Sequence, residues 1–136
     1  MKSKTKKKIE NIFWILTLLL MILTTISAAL ASTYSEIREL GQNMESPEQI
    51  HNYLWRTNHY EFFYQKRPLS VYWETRIGDC TEVARVDYIM FKSIGYKSRI
   101  SHGYLNGYKH DYTEYYKNGE WISPNPKITR EGRGIW

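Results

Sequence analysis

The chain has 136 residues, a formal net charge of +5 and a single cysteine. This length fits one domain. One cysteine cannot form an internal disulfide, so an ordinary core must stabilise the domain. Many of the 12 tyrosines and 5 tryptophans can contribute to that core. Residues 1–31 hold five lysines and one glutamate, so they carry +4 and the other 105 residues carry only +1. Because a nucleic-acid-binding face needs its positive charge on the folded domain, we exclude that class of function.

The N-terminal segment has the pattern of an export signal or a membrane anchor. Five lysines precede an uncharged run from Asn11 to Ser35. Ile12–Ile26 is typical of the apolar region of a signal peptide, and Ala29-Leu30-Ala31 fits its cleavage pattern. The 20 residues of Ile12–Ala31 are also enough to cross a bilayer once. With either outcome the basic head stays in the cytoplasm and the rest lies outside, secreted or membrane-anchored.

A lead-in of residues 32–45, polar or a short helix, precedes the predicted domain of residues 46–136. Ser46 is predicted as an N-cap, with Pro47 at the first helical position and Gln49 closing a capping box. This helix is predicted to end near Asn58. Its buried face is predicted to consist of Ile50, Tyr53, Leu54 and Thr57.

The next segment, His59–Trp73, is aromatic and irregular, and Pro68 excludes a central strand there. His51 and His59 lie eight residues apart, too far for a helical metal-binding pair, so we interpret both as partly exposed side chains. The sequence predicts neither a metal site nor a cofactor.

The only cysteine stands at the predicted start of a helix. Asp79 can act as its N-cap and Glu82 can reach back in a capping box. An apolar face follows at helical spacing, made of Val83, Val86, Met90 and Ile94. The residues predicted to face solvent are Glu82, Arg85 and Lys92. The helix is predicted to stop at Gly95. Cys80 then lies in the first turn, where free N–H groups favour an anion. A lone cysteine is more often a small buried residue, so catalysis requires a histidine partner.

After Gly95 the pattern changes to that of an antiparallel meander. Strands are predicted at Tyr96–Leu105, Tyr108–Lys117 and Glu120–Ser123, joined by the two-residue turns Asn106-Gly107 and Asn118-Gly119. The middle strand would place His110, Tyr112 and Glu114 on one face and Asp111, Thr113 and Tyr115 on the other. A cysteine at a helix start, a histidine within a strand and an amide at the end of the next strand can serve as nucleophile, base and orienting group.

These motifs resemble the transglutaminase-like core from about Ser46 to Pro126. The matching parts are Gly78-Asp79-Cys80 with Ala84, Gly95-Tyr96, His110-x-Tyr112-x-Glu114, and Asn118-Gly119-x-Trp121-x-x-x-Asn125-Pro126. The resemblance implies Cys80 as nucleophile and His110 as base. Where the family has Asp this chain has Asn125, which can orient the imidazole, as Asn does in papain-like enzymes, but brings no negative charge. Alternatively, the substitution signals a weakened or non-catalytic relative, or Asn125, between Pro124 and Pro126, only shapes a turn. Asp111 does not replace it, since it is adjacent to His110 and points to the opposite sheet face.

The resemblance implies an α+β fold with a papain-like core, in which N-terminal helices accompany a Cys80 helix packed on the antiparallel meander. It implies thiol-dependent acyl chemistry on amides through a Cys80 thioester, as peptidase, amidase or transglutaminase. Cys80 and His110 would form a thiolate–imidazolium couple. A second oxyanion donor could be Gln65, Tyr72 or Trp73. The compartment suggests protein or cell-wall peptide substrates. The alternatives are a non-catalytic peptide- or glycan-binding module on the same fold and a membrane-tethered structural or immunity-type protein.

The N-terminal pattern predicts that residues 32–136 lie outside the cytoplasm. A C-terminal reporter that works only outside the cytoplasm should be active, and one that works only inside should be silent. Activity of the cytoplasmic reporter would contradict this prediction. N-terminal sequencing of the mature protein then separates cleavage after Ala31 from anchoring through residues 12–31.

Overall fold

A computed structural model describes residues 2–130, which divide after Ser32 into two compact units. The four helices of this range are α1 (Lys2–Gln42), α2 (Pro47–Thr57), α3 (Leu69–Thr75) and α4 (Cys80–Ser93). The strands are β1 (His59–Tyr60), β2 (Ile77–Gly78), β3 (Ser98–Leu105), β4 (Tyr108–Lys117), β5 (Glu120–Ile122) and β6 (Thr129–Arg130). This is the predicted α+β class, although the last six residues of the predicted domain lie outside the described range.

The first unit is part of helix α1. Within α1 the stretch Lys6–Gln42 is long and apolar enough to cross a bilayer, a test that a cleavable signal sequence also meets. The large apolar side chains between Ile9 and Ile26 are exposed. The choice between anchor and signal peptide therefore stays a prediction.

The second unit begins with the C-terminal part of α1, which contributes Ile37 to the core. Its backbone approaches α4 closely at Gly41, where an added Cβ would come within 3.0 Å of the Met90 Cα and Cβ atoms. A residue without a side chain is what permits this helix–helix contact.

Helix α2 begins and ends where the sequence predicts, but two of its side chains differ from the prediction. Ser46 caps it by accepting from the Gln49 N–H at 3.2 Å, and Pro47 occupies the first turn. The Gln49 side chain, however, accepts from the Glu45 N–H and so does not close the predicted box onto Ser46. Thr57, predicted as buried, is exposed, because its hydroxyl bonds back to the Tyr53 carbonyl and completes no packing face.

Strands β3 to β5 form the predicted meander, in a sheet of order β5-β4-β3-β6. The turns that join them have positive φ angles at both central residues, 53° and 82° at Asn106-Gly107 and 53° and 86° at Asn118-Gly119. These are the angles that Asn and Gly adopt most readily, and they match the twist of the flanking strands. Strand β4 has its predicted bounds, while β3 begins at Ser98 and β5 ends at Ile122.

The core lies between the helices and the face of β4 that carries Tyr115. It comprises Ile37, Ile50, Leu54, Leu69, Tyr72, Val83, Val86, Met90, Phe91 and Tyr115. Tyr115 packs edge-on against Phe91, and its hydroxyl donates to the Glu48 carboxylate. The helix with the cysteine therefore packs on the antiparallel sheet, as predicted, with α2 beside it.

A short parallel ladder that the sequence analysis did not predict fixes the chain on both sides of the irregular segment. Strand β1 pairs with β2, with His59 opposite Ile77 and Tyr60 opposite Gly78. Asn58 adds a side-chain bond to the Gly78 carbonyl at 3.2 Å. The end of α2 is thereby tied to the two residues that precede the cap of α4.

Candidate active site

Cys80 is the first residue of α4, and the cap that precedes it has the predicted form. The Asp79 carboxylate accepts from the Thr81 N–H at 2.9 Å, and the Asp79 N–H donates to Glu82 Oε2 at 3.1 Å. This reciprocal capping box satisfies two of the free donors of the first turn. The side chain of Cys80 is half-buried and forms no disulfide.

Glu82 is buried, which corrects the prediction that it faces solvent; only 3% of its surface is accessible. Arg67 explains the difference, since its guanidinium donates to both Glu82 oxygens, at 2.7 and 2.8 Å. The same guanidinium donates to the Ile77 carbonyl at 2.6 Å and lies 3.3 Å above the Phe63 ring. A buried carboxylate is tolerated when it is paired and fully hydrogen-bonded, and this arrangement meets both conditions.

Gly78 leaves the space that the buried carboxylate fills. A Cβ atom at this position would lie 2.4 Å from Glu82 Oε2 and 2.5 Å from the Tyr72 ring. No side chain fits there without displacing the Glu82 carboxylate or the Tyr72 ring. Each residue of Gly78-Asp79-Cys80 therefore has its own role: Gly78 leaves space for the carboxylate, Asp79 caps the helix and Cys80 carries the thiol.

Strand β4 meets the first turn of α4 at Asp111. Its carboxylate accepts from the Thr81 hydroxyl at 3.0 Å, and its backbone lies close enough to Cys80 to lower the pKa of the thiol. Two residues on, Thr113 donates to the Ala84 carbonyl at 2.6 Å, so this face of β4 packs directly on α4. Asp111 therefore belongs to the site, although the sequence analysis assigned it no role.

His110 precedes this contact in the chain and is buried, with 8% of its surface accessible. Its ring stacks on Trp55 of α2, with centroids 5.9 Å apart and 28° between the planes. Its Nε2 atom is buried and has no hydrogen-bond partner in the part of the chain that the structure describes. Within residues 2–130 no hydrogen bond joins the ring to Cys80 or Asn125.

A second histidine supports Trp55 from the other side. His51, predicted to be partly exposed, is buried and bonds to Asp87 of α4 at 2.7 Å, because Asp87 offers a carboxylate in an otherwise apolar interface. His51 also contacts Trp55 edge-on. His59, the other histidine of that prediction, is exposed in β1.

Asn125 lies after β5, where its groups shape a turn. Its side-chain oxygen accepts from the Lys127 N–H at 3.0 Å, and its backbone N–H and carbonyl both bond to the Ser123 hydroxyl. The structure therefore does not bring the Asn125 amide to the imidazole in this conformation. Its orienting role stays a prediction.

The three predicted oxyanion donors differ in what their polar atoms do. The Trp73 indole N–H donates to Glu36 at 3.1 Å, and the Tyr72 hydroxyl is buried in the core with no partner among the described residues. Gln65 is exposed in the irregular segment. Within the described range, no group of three His, Cys, Asp or Glu side chains is arranged to hold a metal ion.

The electrostatics of the two central groups oppose the predicted resting ion pair. Burial raises the pKa of the Cys80 thiol, and the carboxylates of Asp111 and Asp79 raise it further, against hydrogen bonds from Asp111 and Thr81 that lower it. Burial also lowers the pKa of His110, against a smaller upward effect of Asp111. Both directions favour a neutral thiol and a neutral imidazole in the resting protein.

Comparison with known proteins identifies the family of the chain. Residues 31–126, more than half of the chain, match the sequence profile of the transglutaminase-like superfamily. The chain belongs to the transglutaminase-like superfamily. No curated protein matches it significantly.

Among solved structures, it is similar to a protein from Cytophaga hutchinsonii named a putative cysteine protease, with 14% sequence identity and a TM-score of 0.55. The similarity covers 70% of this chain and 38% of that one, so the chain spans less than two fifths of that protein's length. At this identity the likeness shows the fold, which agrees with the predicted papain-like core.

The raised pKa of the thiol predicts how Cys80 reacts with iodoacetamide in the full-length protein. Because only the thiolate is alkylated, labelling should be slow near pH 6 and still be rising above about pH 8.5, the ordinary thiol value. Mass spectrometry of the single cysteine measures the rate. His110→Ala should leave this profile unchanged. Fast labelling near pH 6 that His110→Ala abolishes would instead establish the ion pair.

Proposed function

We propose that this protein carries out thiol-dependent acyl chemistry on amide bonds outside the cytoplasm, as a peptidase, amidase or transglutaminase. The observation that carries the proposal is the bond from the Thr81 hydroxyl to the Asp111 carboxylate at 3.0 Å, which holds the capped first turn with Cys80 against the neighbour of His110. The family and the fold of the structural neighbour support a cysteine hydrolase or acyltransferase. The apolar N-terminal helix supports the location.

In the proposed first step the neutral His110 ring accepts the Cys80 proton as the sulfur attacks the amide carbonyl. The helix N-terminus and the Cys80 N–H stabilise the developing oxyanion. The tetrahedral intermediate expels the amine, which takes the proton from His110, and a thioester remains on Cys80. Water or a second amine then attacks the thioester, giving hydrolysis or acyl transfer.

Asn125 enters the proposal as the orienting group of His110. Among residues 2–130 the buried Nε2 of His110 has no partner, and leaving such an atom unpaired costs about 1–3 kcal/mol. An amide that turned from the Lys127 N–H to this nitrogen would remove that cost. Catalytic hydrogen bonds often form fully only in the substrate complex, so the resting geometry is compatible with this role.

The test follows acylation of the full-length protein by p-nitrophenyl acetate. Wild type should release a burst of nitrophenolate and carry an acetyl group on Cys80 by mass spectrometry. Cys80→Ala and His110→Ala should abolish both. Asn125→Ala should lower kcat/KM about 10- to 100-fold, since one orienting bond is lost.

Two controls accompany this experiment. Asn125→Asp restores the family's acid and should keep or increase activity, while Asn118→Ala changes a turn asparagine remote from the thiol and should affect only stability. A folded Asn125→Ala protein with unchanged kcat/KM would remove Asn125 from the site. A folded wild type without a burst would contradict the whole proposal.

A binding module is the second candidate, and exposed aromatic rings in the segment between α2 and α3 favour it. Tyr60, Phe62 and Tyr64 are 56%, 60% and 95% exposed, and exposed rings of this kind mark surfaces that bind peptides or glycans. Phe63 anchors this segment by donating its N–H to Asp79 at 3.3 Å. Retention of a cell-wall fragment by Cys80→Ala but not by Phe62→Ala, without any burst in wild type, would favour this function.

A further inference from the structure

Trp55 of α2 covers the ring of His110. The two rings are stacked, with centroids 5.9 Å apart and 28° between their planes. Because the planes are close to parallel, the imidazole meets the π face of the indole and not its edge. The contact therefore brings the electron-rich side of a tryptophan to the histidine that the family motif contains.

A buried ion pair fixes the indole in this position. The His51 ring contacts Trp55 edge-on, with centroids 6.0 Å apart and 64° between the planes. Its Nδ1 atom lies 2.7 Å from Asp87 Oδ2, and both side chains are buried. Since Asp87 belongs to α4, the bond joins the helix of Trp55 to the helix of the nucleophile.

The imidazolium form of His110 is costly in this environment. Burial lowers the pKa of His110, which means that the protonated ring is disfavoured. The chain has Asn125 where a carboxylate would offset that cost, and the Asn125 oxygen accepts from the Lys127 N–H. Another group must supply the stabilisation if His110 is to accept a proton.

Among the described residues, Asp111 and His51 are the charged groups that act on His110. Asp111 raises the pKa of His110, and a charge on His51 lowers it. The Asp111 carboxylate also bonds to His102 at 2.6 Å, so its charge is shared. Across the β3–β4 pair His110 faces Gly103, which has no side chain. The indole face is thus the remaining contact of the ring that favours a cation.

A cation within about 6 Å of an aromatic centroid is attracted by the quadrupole of the ring, most strongly when the ring is tryptophan. Resting on the proposed function, we propose that Trp55 is a positioning residue that stabilises the His110 imidazolium, in place of the charge that Asn125 does not bring. His110 takes the Cys80 proton and passes it to the leaving amine. It then takes a proton from the attacking water or amine and passes it to the Cys80 sulfur. The same contact acts in both halves of the reaction.

NMR titration of the histidine rings in isotope-labelled full-length protein tests this contact without a substrate. His110→Ala identifies the His110 resonance among the four histidines. Trp55→Leu keeps an apolar side chain but removes the π face. It should raise the acid dissociation constant of the His110 imidazolium about 3- to 10-fold, the size of one cation–π contact, so that the pKa of His110 falls.

The direction of this change separates the proposed role from packing alone. A smaller side chain admits water to the ring, and because burial lowers the pKa of His110, loss of packing alone would raise that pKa. An unchanged or raised pKa of His110 in folded Trp55→Leu overturns the inference. Trp55→Phe keeps a weaker π face and should give a smaller fall, and it decides by the same criterion if Trp55→Leu does not fold.

Trp121→Leu is the matched control, because Trp121 packs on Tyr116 toward the other end of β4 and should leave the pKa of His110 unchanged. With p-nitrophenyl acetate, Trp55→Leu should lower kcat/KM about 3- to 10-fold and shift its pH profile toward lower pH. A lowered pKa of His110 with unchanged kcat/KM and pH profile overturns the inference and leaves the proposed function standing. A wild type without a burst overturns the proposed function, whereas a fall in the pKa of His110 would still support the contact.

Discussion

The buried carboxylate of Glu82 is the group on which the candidate site depends. It accepts from the Asp79 N–H and from the Arg67 guanidinium, so it joins the cap of α4 to the irregular segment before α3. Removing one partner of such a pair leaves a buried charge unpaired, which costs about 3–5 kcal/mol. Gly78 provides the space for the carboxylate, and Cys80 is held at the helix start by the resulting turn.

A buried cap changes the electrostatics of the thiol as well as its position. The turn places Asp79 next to Cys80, and β4 adds Asp111 on the other side, so two carboxylates raise the pKa of the thiol that burial already raises. The helix N-terminus favours an anion by at most about 2 kcal/mol, and the pKa of the thiol is nevertheless raised. Proton transfer to a neutral imidazole during attack suits this environment better than a preformed thiolate.

The sequence was informative where local rules decide the structure. Capping residues and apolar spacing predicted α4 from Cys80 to its stop, and the two Asn-Gly turns predicted β4 with its bounds. The exposure of Glu82 was predicted wrongly because its partner, Arg67, lies 15 residues away in a segment without periodicity. The buried bond of His51 to Asp87 was missed for the same reason, since it joins two different helices.

Some further contacts can be predicted from the sequence, and others cannot. The Asn106-Gly107 turn implies that His102 faces Asp111, because a two-residue loop pairs the strands symmetrically around it. By contrast, the ladder of β1 and β2 has only two residues in each strand, too few for any pattern. The position of Asn125 followed from its motif, but its bond to Lys127 depends on the local turn geometry.

Amide hydrogen exchange at residues 79–83 of full-length Glu82→Gln tests most directly whether Glu82 holds the nucleophile turn. The substitution keeps the size but removes the charge that Arg67 binds and replaces one acceptor oxygen with an NH2 donor, and Glu120→Gln at an exposed position is the control. A loss of about 3 kcal/mol should speed exchange of these amides roughly 100-fold. Equal protection in the two variants would contradict the account.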